Sequence, residues 1–200
     1  MKKFCVAILL VFLYIFSGET NAFAELTPYV KSLIKRAEQG EIKAQFLLGL
    51  GHELGKEGLP KDYQKAKYWY KLAANQGSDE AQHSLGAMYE EGIGVRQDYQ
   101  KAKNWYEKSA HQGNSTAQTK LGFLYVLGQG TRQDYHKAKF WFEKAANQGD
   151  AHAQNMLGHL YEHGLGVRQS LSEAKEWYGK ACDNGNQKGC DAYARLNRGH

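Results

Sequence analysis

The chain has 200 residues, 42% of them hydrophobic and 24% charged, with a formal net charge of +5. That is enough apolar material for one or two ordinary domains, and 12% aromatic residues with interspersed charges argue against disorder. The positive surplus is too small to point to nucleic acid, and three Cys are too few for a disulfide-dense miniprotein.

The first 24 residues do not read as part of a fold. Lys2 and Lys3 precede an uncharged apolar run, Phe4 to Phe16, of 13 residues. A helix needs about 20 residues to span a bilayer. Ser17 and Gly18 interrupt the run, and Ala22-Phe23-Ala24 has the small-x-small pattern of a signal-peptide cleavage site. Residues 1–24 are therefore expected to be a signal peptide. The product is expected to be periplasmic or secreted, with no stable membrane insertion after cleavage. The alternative is an uncleaved anchor. Cys5 lies before the apolar run, which disfavours a lipoprotein. Cys182 and Cys190 are then the two remaining cysteines. Thiols outside the cytosol tend to pair, so a disulfide is expected. A free buried pair and a two-Cys metal site are the alternatives.

The rest of the chain repeats. Trp69, Trp105, Trp141 and Trp177 lie 36 residues apart, as do Ala66, Ala102, Ala138 and Ala174. Gly77, Gly113, Gly149 and Gly185 keep the same step. The pairs Leu48-Gly49, Leu85-Gly86, Leu121-Gly122 and Leu157-Gly158 follow it after a first step of 37. Each unit predicts two helices. The first, as in Ala81 to Tyr89, carries Ala81, Leu85 and Met88 on one stripe and stops at Gly92 and Gly94. The second opens at an N-cap: Asp62, Asp98, Asp134 or Ser170, the last with Glu173 placed for a capping box. A glycine inside a helix costs about 1 kcal/mol relative to alanine. Its recurrence at Gly49, Gly86, Gly122 and Gly158 predicts close approach of another element, and the Trp of the second helix is the expected partner.

One hairpin cannot bury its own apolar face, so the units must stack. The expected fold class is all-α: an α/α solenoid, or superhelical repeat, of four 36-residue helix-turn-helix units with terminal capping helices. The units are placed at 41–77, 78–113, 114–149 and 150–185, with caps at 25–40 and 186–200.

The pattern Ala153-x-x-x-Leu157-Gly158-x-x-Tyr161-x-x-Gly164-x-Gly166-Val167, followed by Ala174-x-x-Trp177-Tyr178-x-Lys180-Ala181, resembles the Sel-one-like repeat, a relative of the tetratricopeptide repeat. The likeness runs over about residues 28–198. Cys182 replaces the Ala of Ala74, Ala110 and Ala146, and its spacing of eight to Cys190 is similar to that of the family's cysteine-rich branch. That branch comprises secreted bacterial proteins, some described as penicillin-binding or weakly β-lactamase-like. The resemblance implies a scaffold that holds a protein or peptide in a concave groove, in the bacterial envelope or in host contact. No cofactor or metal is expected, and the chain is expected to be monomeric and without a nucleic-acid partner.

Carried over from tetratricopeptide geometry, the groove takes Phe46, Leu50 and Glu53 in the first unit, then His83, Ala87, Glu90 and Glu91 in the second. The third unit supplies Thr119, Phe123, Val126 and Leu127, and the fourth His152, Asn155, His159, Glu162 and His163. These positions vary while the packing positions hold. The expectation is that Phe123 anchors an extended peptide, that Glu90 and Glu91 receive a basic side chain, and that the histidines make binding sensitive near about pH 6.

Two catalytic patterns compete with this reading. His159-Leu160-Tyr161-Glu162-His163 spells the inverted zinc-peptidase motif, but no third ligand stands in a matching context. Ser32 to Lys35 and Ser172 to Lys175 both spell S-x-x-K, without the S-D-N and K-T-G that accompany it in penicillin-recognising enzymes. The chain is therefore read as a non-enzyme, with a β-lactam or cell-wall hydrolase as the rival. The lysines repeated on the second helices are read as a solvated outer face.

Overall fold

Ten α-helices and no strand make up residues 26–198, the part of the chain that the computed structural model describes. The expected signal peptide lies outside these residues. In chain order the helices are α1 (Pro28–Glu38), α2 (Ile42–Leu54), α3 (Tyr63–Asn75), α4 (Asp79–Glu91), α5 (Tyr99–His111), α6 (Ser115–Leu127), α7 (Tyr135–Ala146), α8 (Ala151–His163), α9 (Leu171–Asp183) and α10 (Gln187–Asn197). The fold is all-α and of the α/α solenoid class. The chain divides into two compact units, Met1–Ala81 and Gln82–His200.

In the first unit Thr27 caps α1 by accepting from the Val30 N–H, and Pro28 takes the first helical position, where no N–H is needed. Val30, Leu33 and Ala37 of α1 bury against Ala44 and Leu48 of α2, with Leu59 and Trp69 alongside. Arg36 pairs with Glu41 across the α1–α2 turn. His52 stands where later repeats carry Tyr. It is buried, and its Nδ1 lies 3.1 Å from the Pro60 carbonyl in the longer loop of this repeat.

In the second unit three helix pairs follow one another, and α10 packs on α8 and α9. Asp98 and Asp134 cap α5 and α7 through the Lys101 and Lys137 N–H groups. Those hydrogen bonds hold both carboxyls below the ordinary aspartate range. Ser170 caps α9 by accepting from the Glu173 N–H. The expected capping box is only half formed, because the Ser170 N–H donates to the Tyr161 carbonyl instead of to Glu173. The same clamp recurs from Asp98 to Tyr89 and from Asp134 to Tyr125, so each second helix is tied to the first helix of its own repeat.

The notch glycines are filled by a different ring from the one expected. A Cβ on Gly86, Gly122 or Gly158 would lie 2.5–2.6 Å from the ring of Tyr106, Phe142 or Tyr178, not from Trp. Tyr70 occupies the same place against Gly49 in the first unit. The reason is helical phase. Tyr106 and its equivalents lie four residues after the buried Ala102, Ala138 and Ala174 and share their stripe, while Trp lies three after and falls at its edge. Trp141 is buried there, edge-on to His111 of the preceding repeat at 5.2 Å. Trp105 and Trp177 are half-buried beneath the ammonium groups of Lys108 and Lys180.

Two further devices join repeat to repeat. Gly130 and Gly166, both at positive φ, press on the backbone at Tyr99 and Tyr135, where a Cβ would come within 2.3 and 2.7 Å. Buried Gln118 and Gln154 donate to the Ala110 and Ala146 carbonyls at the end of the preceding helix, at 3.0 and 3.1 Å. Their own side-chain oxygens accept from Gln148 and Asn184. Helix-end carbonyls lack an intrahelical partner, so a buried amide at this place answers a fixed need.

Candidate protein-binding surface

The expected groove residues of the second unit form columns in which each residue has a counterpart 36 positions on. One column is Glu91, Leu127 and His163, at the C-terminal ends of α4, α6 and α8. All three are exposed, Leu127 at 61%. A second is Ala87, Phe123 and His159. Ala87 and Phe123 are half-buried, with Phe123 edge-on to Phe142 at 5.3 Å. His159 lies against His163, with ring centres 4.4 Å apart and the rings tilted by 54°. Partial burial and the neighbouring His163 hold the His159 pKa below the ordinary histidine range. His83 and Asn155 are half-buried, and His152 is exposed beside Asn186.

Three expected lining residues are drawn inward. Thr119 is buried. Glu162 is buried too, accepting from the Tyr178 hydroxyl at 2.7 Å and from Arg195 at 2.6 Å. Glu90 accepts from Tyr106 at 2.6 Å and pairs with Lys120 at 2.9 Å, so its carboxylate is already engaged within the fold. Burial raises the Tyr178 and Tyr106 pKa values, and the hydrogen bonds to the carboxylates raise them further. In the third repeat the residues at the places of Glu90, Tyr106 and Lys120 are Val126, Phe142 and Met156, all apolar: Phe142 is buried, and half-buried Val126 and Met156 pack against the same core. The sequence carried a signal for this clasp, since Glu/Tyr and Val/Phe change together, but its third member lies 30–33 residues further on.

Residues of the zinc-like pattern and of Ser172 to Lys175 take part in contacts of the fold. Glu162 of the zinc-like motif is spent on Tyr178 and Arg195, and among the described residues no cluster of three His, Cys, Asp or Glu side chains is placed to hold a metal. Ser172 sits 3.0 Å from the Ser170 hydroxyl, while the Lys175 ammonium lies over the Tyr193 ring. Cys182 and Cys190 form a disulfide joining α9 to α10, with Cα atoms 4.5 Å apart.

Depressions among the described residues of this unit include two with expected or newly exposed residues. One, of about 430 Å³, brings expected Phe123, His152 and Asn155 together with Met156 and the segment 184–188, which sequence reasoning left out. The other, of about 840 Å³, lies between α7 and the loop before α9 and includes Phe140, 49% exposed, with Lys139, Tyr161 and Arg168. Phe140 was legible as an apolar departure from Asn104 and Glu176 at the same register.

A family model described as Sel1 repeat matches residues 42–78, 79–114, 115–150 and 151–186. Among solved structures, a protective antigen of uropathogenic Escherichia coli displaying an SLR fold is 40% identical, with a TM-score of 0.79 over 80% of this chain and 34% of that one. A Sel1 repeat protein from Oxalobacter formigenes is 36% identical, with a TM-score of 0.75 over 80% of this chain and 65% of that one. An immunity protein of Pseudomonas aeruginosa is 27% identical, with a TM-score of 0.53 over 94% of this chain and 66% of that one. A curated relative, the Arabidopsis thaliana ERAD-associated E3 ubiquitin-protein ligase component HRD3A, is 33% identical over 59 residues, 30% of this chain and 9% of its own length. The chain thus spans about a third of the E. coli antigen and less than a tenth of the plant protein.

Proposed function

The chain belongs to the Sel1 repeat family, and we propose that it works as an exported scaffold that holds a protein or peptide partner on the first-helix face of its second unit. Sel1 repeat proteins generally mediate protein–protein interaction and are typically non-enzymatic. The observation that carries the assignment of the face is the exposed column Glu91, Leu127 and His163. Scaffold positions 36 residues apart repeat there, while the exposed residues change from acidic to apolar to imidazole. An invariant frame with a varied lining suits recognition of one partner. Phe123 and His159 extend the same face.

Export is supported by the Lys-led apolar run at the N-terminus and by the Cys182–Cys190 disulfide, which suits an oxidising compartment. Among the described residues no helix is long and apolar enough to cross a membrane.

The test is photo-crosslinking in living cells from an unnatural residue at position 127. Discrete protein adducts that fade when His159→Ala or Phe123→Ala is added on the same face are expected. Adducts that are absent, or indifferent to those substitutions while circular dichroism stays native, would overturn the assignment.

A further inference from the structure

We propose that His159 and His163, one turn apart at the end of α8, together bind one divalent transition-metal ion of the kind imidazole prefers, Zn²⁺ or Cu²⁺. The inference goes beyond the partner-binding reading and does not depend on it.

Spacing comes first. Residues i and i+4 of a helix share a face, and two histidines so placed can grip a single ion. The ring centres lie 4.4 Å apart, with the rings tilted by 54°. Metal–nitrogen bonds of about 2.0–2.1 Å to the facing nitrogens put the centres of two imidazoles on one ion roughly 4.5–5 Å apart. A small side-chain rotation therefore converts the observed pair into a chelate. Both residues are exposed, so the core does not block that rotation.

Neither imidazole is committed elsewhere. His152 faces Asn186 and His111 lies edge-on to Trp141, but His159 and His163 make no hydrogen bond or ion pair with the described residues. Glu162, which stands between them in sequence, is held by Tyr178 and Arg195, and it balances the Arg195 charge that would otherwise repel a cation. Cys182 and Cys190 are joined to each other, so neither offers a competing thiolate. No third His, Cys, Asp or Glu of the described residues completes the set, which leaves the remaining positions of the ion to water.

The pair is peculiar to the fourth repeat. At the same two places the earlier repeats carry Leu50 and Leu54, Ala87 and Glu91, and Phe123 and Leu127. Both places change to a ligating side chain together. His163 is also the last residue of α8, where the carbonyl ends of the helix carry partial negative charge and favour a cation. Once one imidazole holds the ion, the second bond forms within the molecule, so the pair binds far more tightly than a lone surface histidine.

The probes are ZnCl₂ and CuCl₂, titrated by calorimetry into the processed chain prepared without a polyhistidine tag. One ion per chain is expected, Cu²⁺ more tightly than Zn²⁺, with no signal from Mg²⁺ or Ca²⁺. His159→Ala and His163→Ala are each expected to weaken binding at least about tenfold, and the double variant little further than either. His136→Ala removes an exposed histidine of α7 and should change nothing. With one equivalent of Cu²⁺, electron paramagnetic resonance should show coupling to two nitrogens, lost in either single variant. The two histidines are exposed, so the variants are expected to keep native circular dichroism and to test binding and not folding. No saturable binding of either ion at about 1 mM would overturn the proposal. Single variants that bind as tightly as the parent chain, or an equal loss from His136→Ala, would overturn it too, as adventitious binding by scattered histidines.

Discussion

The third repeat and its two neighbours in the second unit solve one packing problem in opposite ways. Around Tyr106 and Tyr178 the ring hydroxyl meets a carboxylate, Glu90 or Glu162, which a cation from the next helix then neutralises. Around Phe142 the places of Tyr106, Glu90 and Lys120 hold Phe142, Val126 and Met156. The ring sits in its glycine notch either way, so the notch sets the stacking. The polar clasp is an addition, and it is tolerable only when all three members are present. A buried carboxylate without partners costs far more than a paired one contributes.

The sharpest way to break that comparison is to mix the two solutions. Val126→Glu alone puts a carboxylate among Phe142 and Met156 and is expected to cost about 3–5 kcal/mol by urea unfolding. Adding Phe142→Tyr and Met156→Lys should recover most of that loss. If the single and triple variants unfold alike, the three positions do not act as a set.

Next in size is the disulfide, which only the fourth repeat possesses. Its closed loop is short, so Cys182→Ser with Cys190→Ser is expected to cost about 2–3 kcal/mol. The loss should be local. Hydrogen exchange should speed up in α10 while α6 and α7 keep their protection. Uniform loss of protection would show that the end of the array and its middle unfold as one.

The notches themselves separate the two solutions. Gly158→Ala and Gly122→Ala both drive a Cβ into a ring at about 2.5 Å, offset in part by the better helix propensity of alanine. Each should cost about 1–2 kcal/mol, with Gly158→Ala the larger, because the Tyr178 hydroxyl is tethered to Glu162 and Phe142 has no such tether. Equal costs would mean that the tether does not restrain the ring.

The smallest effect is on pH dependence. Burial alone would raise the Glu162 pKa, but hydrogen bonds from Tyr178 and Arg195 outweigh it, and the carboxyl sits below its ordinary value. A depressed folded pKa means stability that is present above the unfolded value of about 4.3 and lost as pH falls through the folded one. Glu162→Gln should therefore lower stability at neutral pH and flatten its fall in acid. A thermal unfolding series from pH 6 to pH 3 with the same slope for both chains would remove Glu162 from the acid response.

Much of the architecture was legible because its signals are periodic. The Ala and Leu-Gly steps place the helices, and Asp98, Asp134 and Ser170 begin them where expected. The choice of ring was misread because Trp105 and Tyr106 repeat equally well, and only helical phase against Ala102 tells which one enters the notch. Of the expected lining, Leu127, His159 and His163 lie at the surface, while Thr119 and Glu162 turn inward. Periodicity assigns a residue to a helix face. It does not say whether a hydroxyl or an arginine 33 residues away will claim it.

By itself the amino-acid order determined that this protein is a row of helix pairs, where each pair begins and ends, and that two cysteines share its far end. Those properties follow from local rules: caps, left-handed glycines and apolar spacing act within about ten residues. Which carboxylates are consumed by the fold and which amides hold the helix-end carbonyls were decided only in the tertiary structure. Each depends on atoms brought together from successive repeats, and burial changes the energy of a charge far more than sequence distance does.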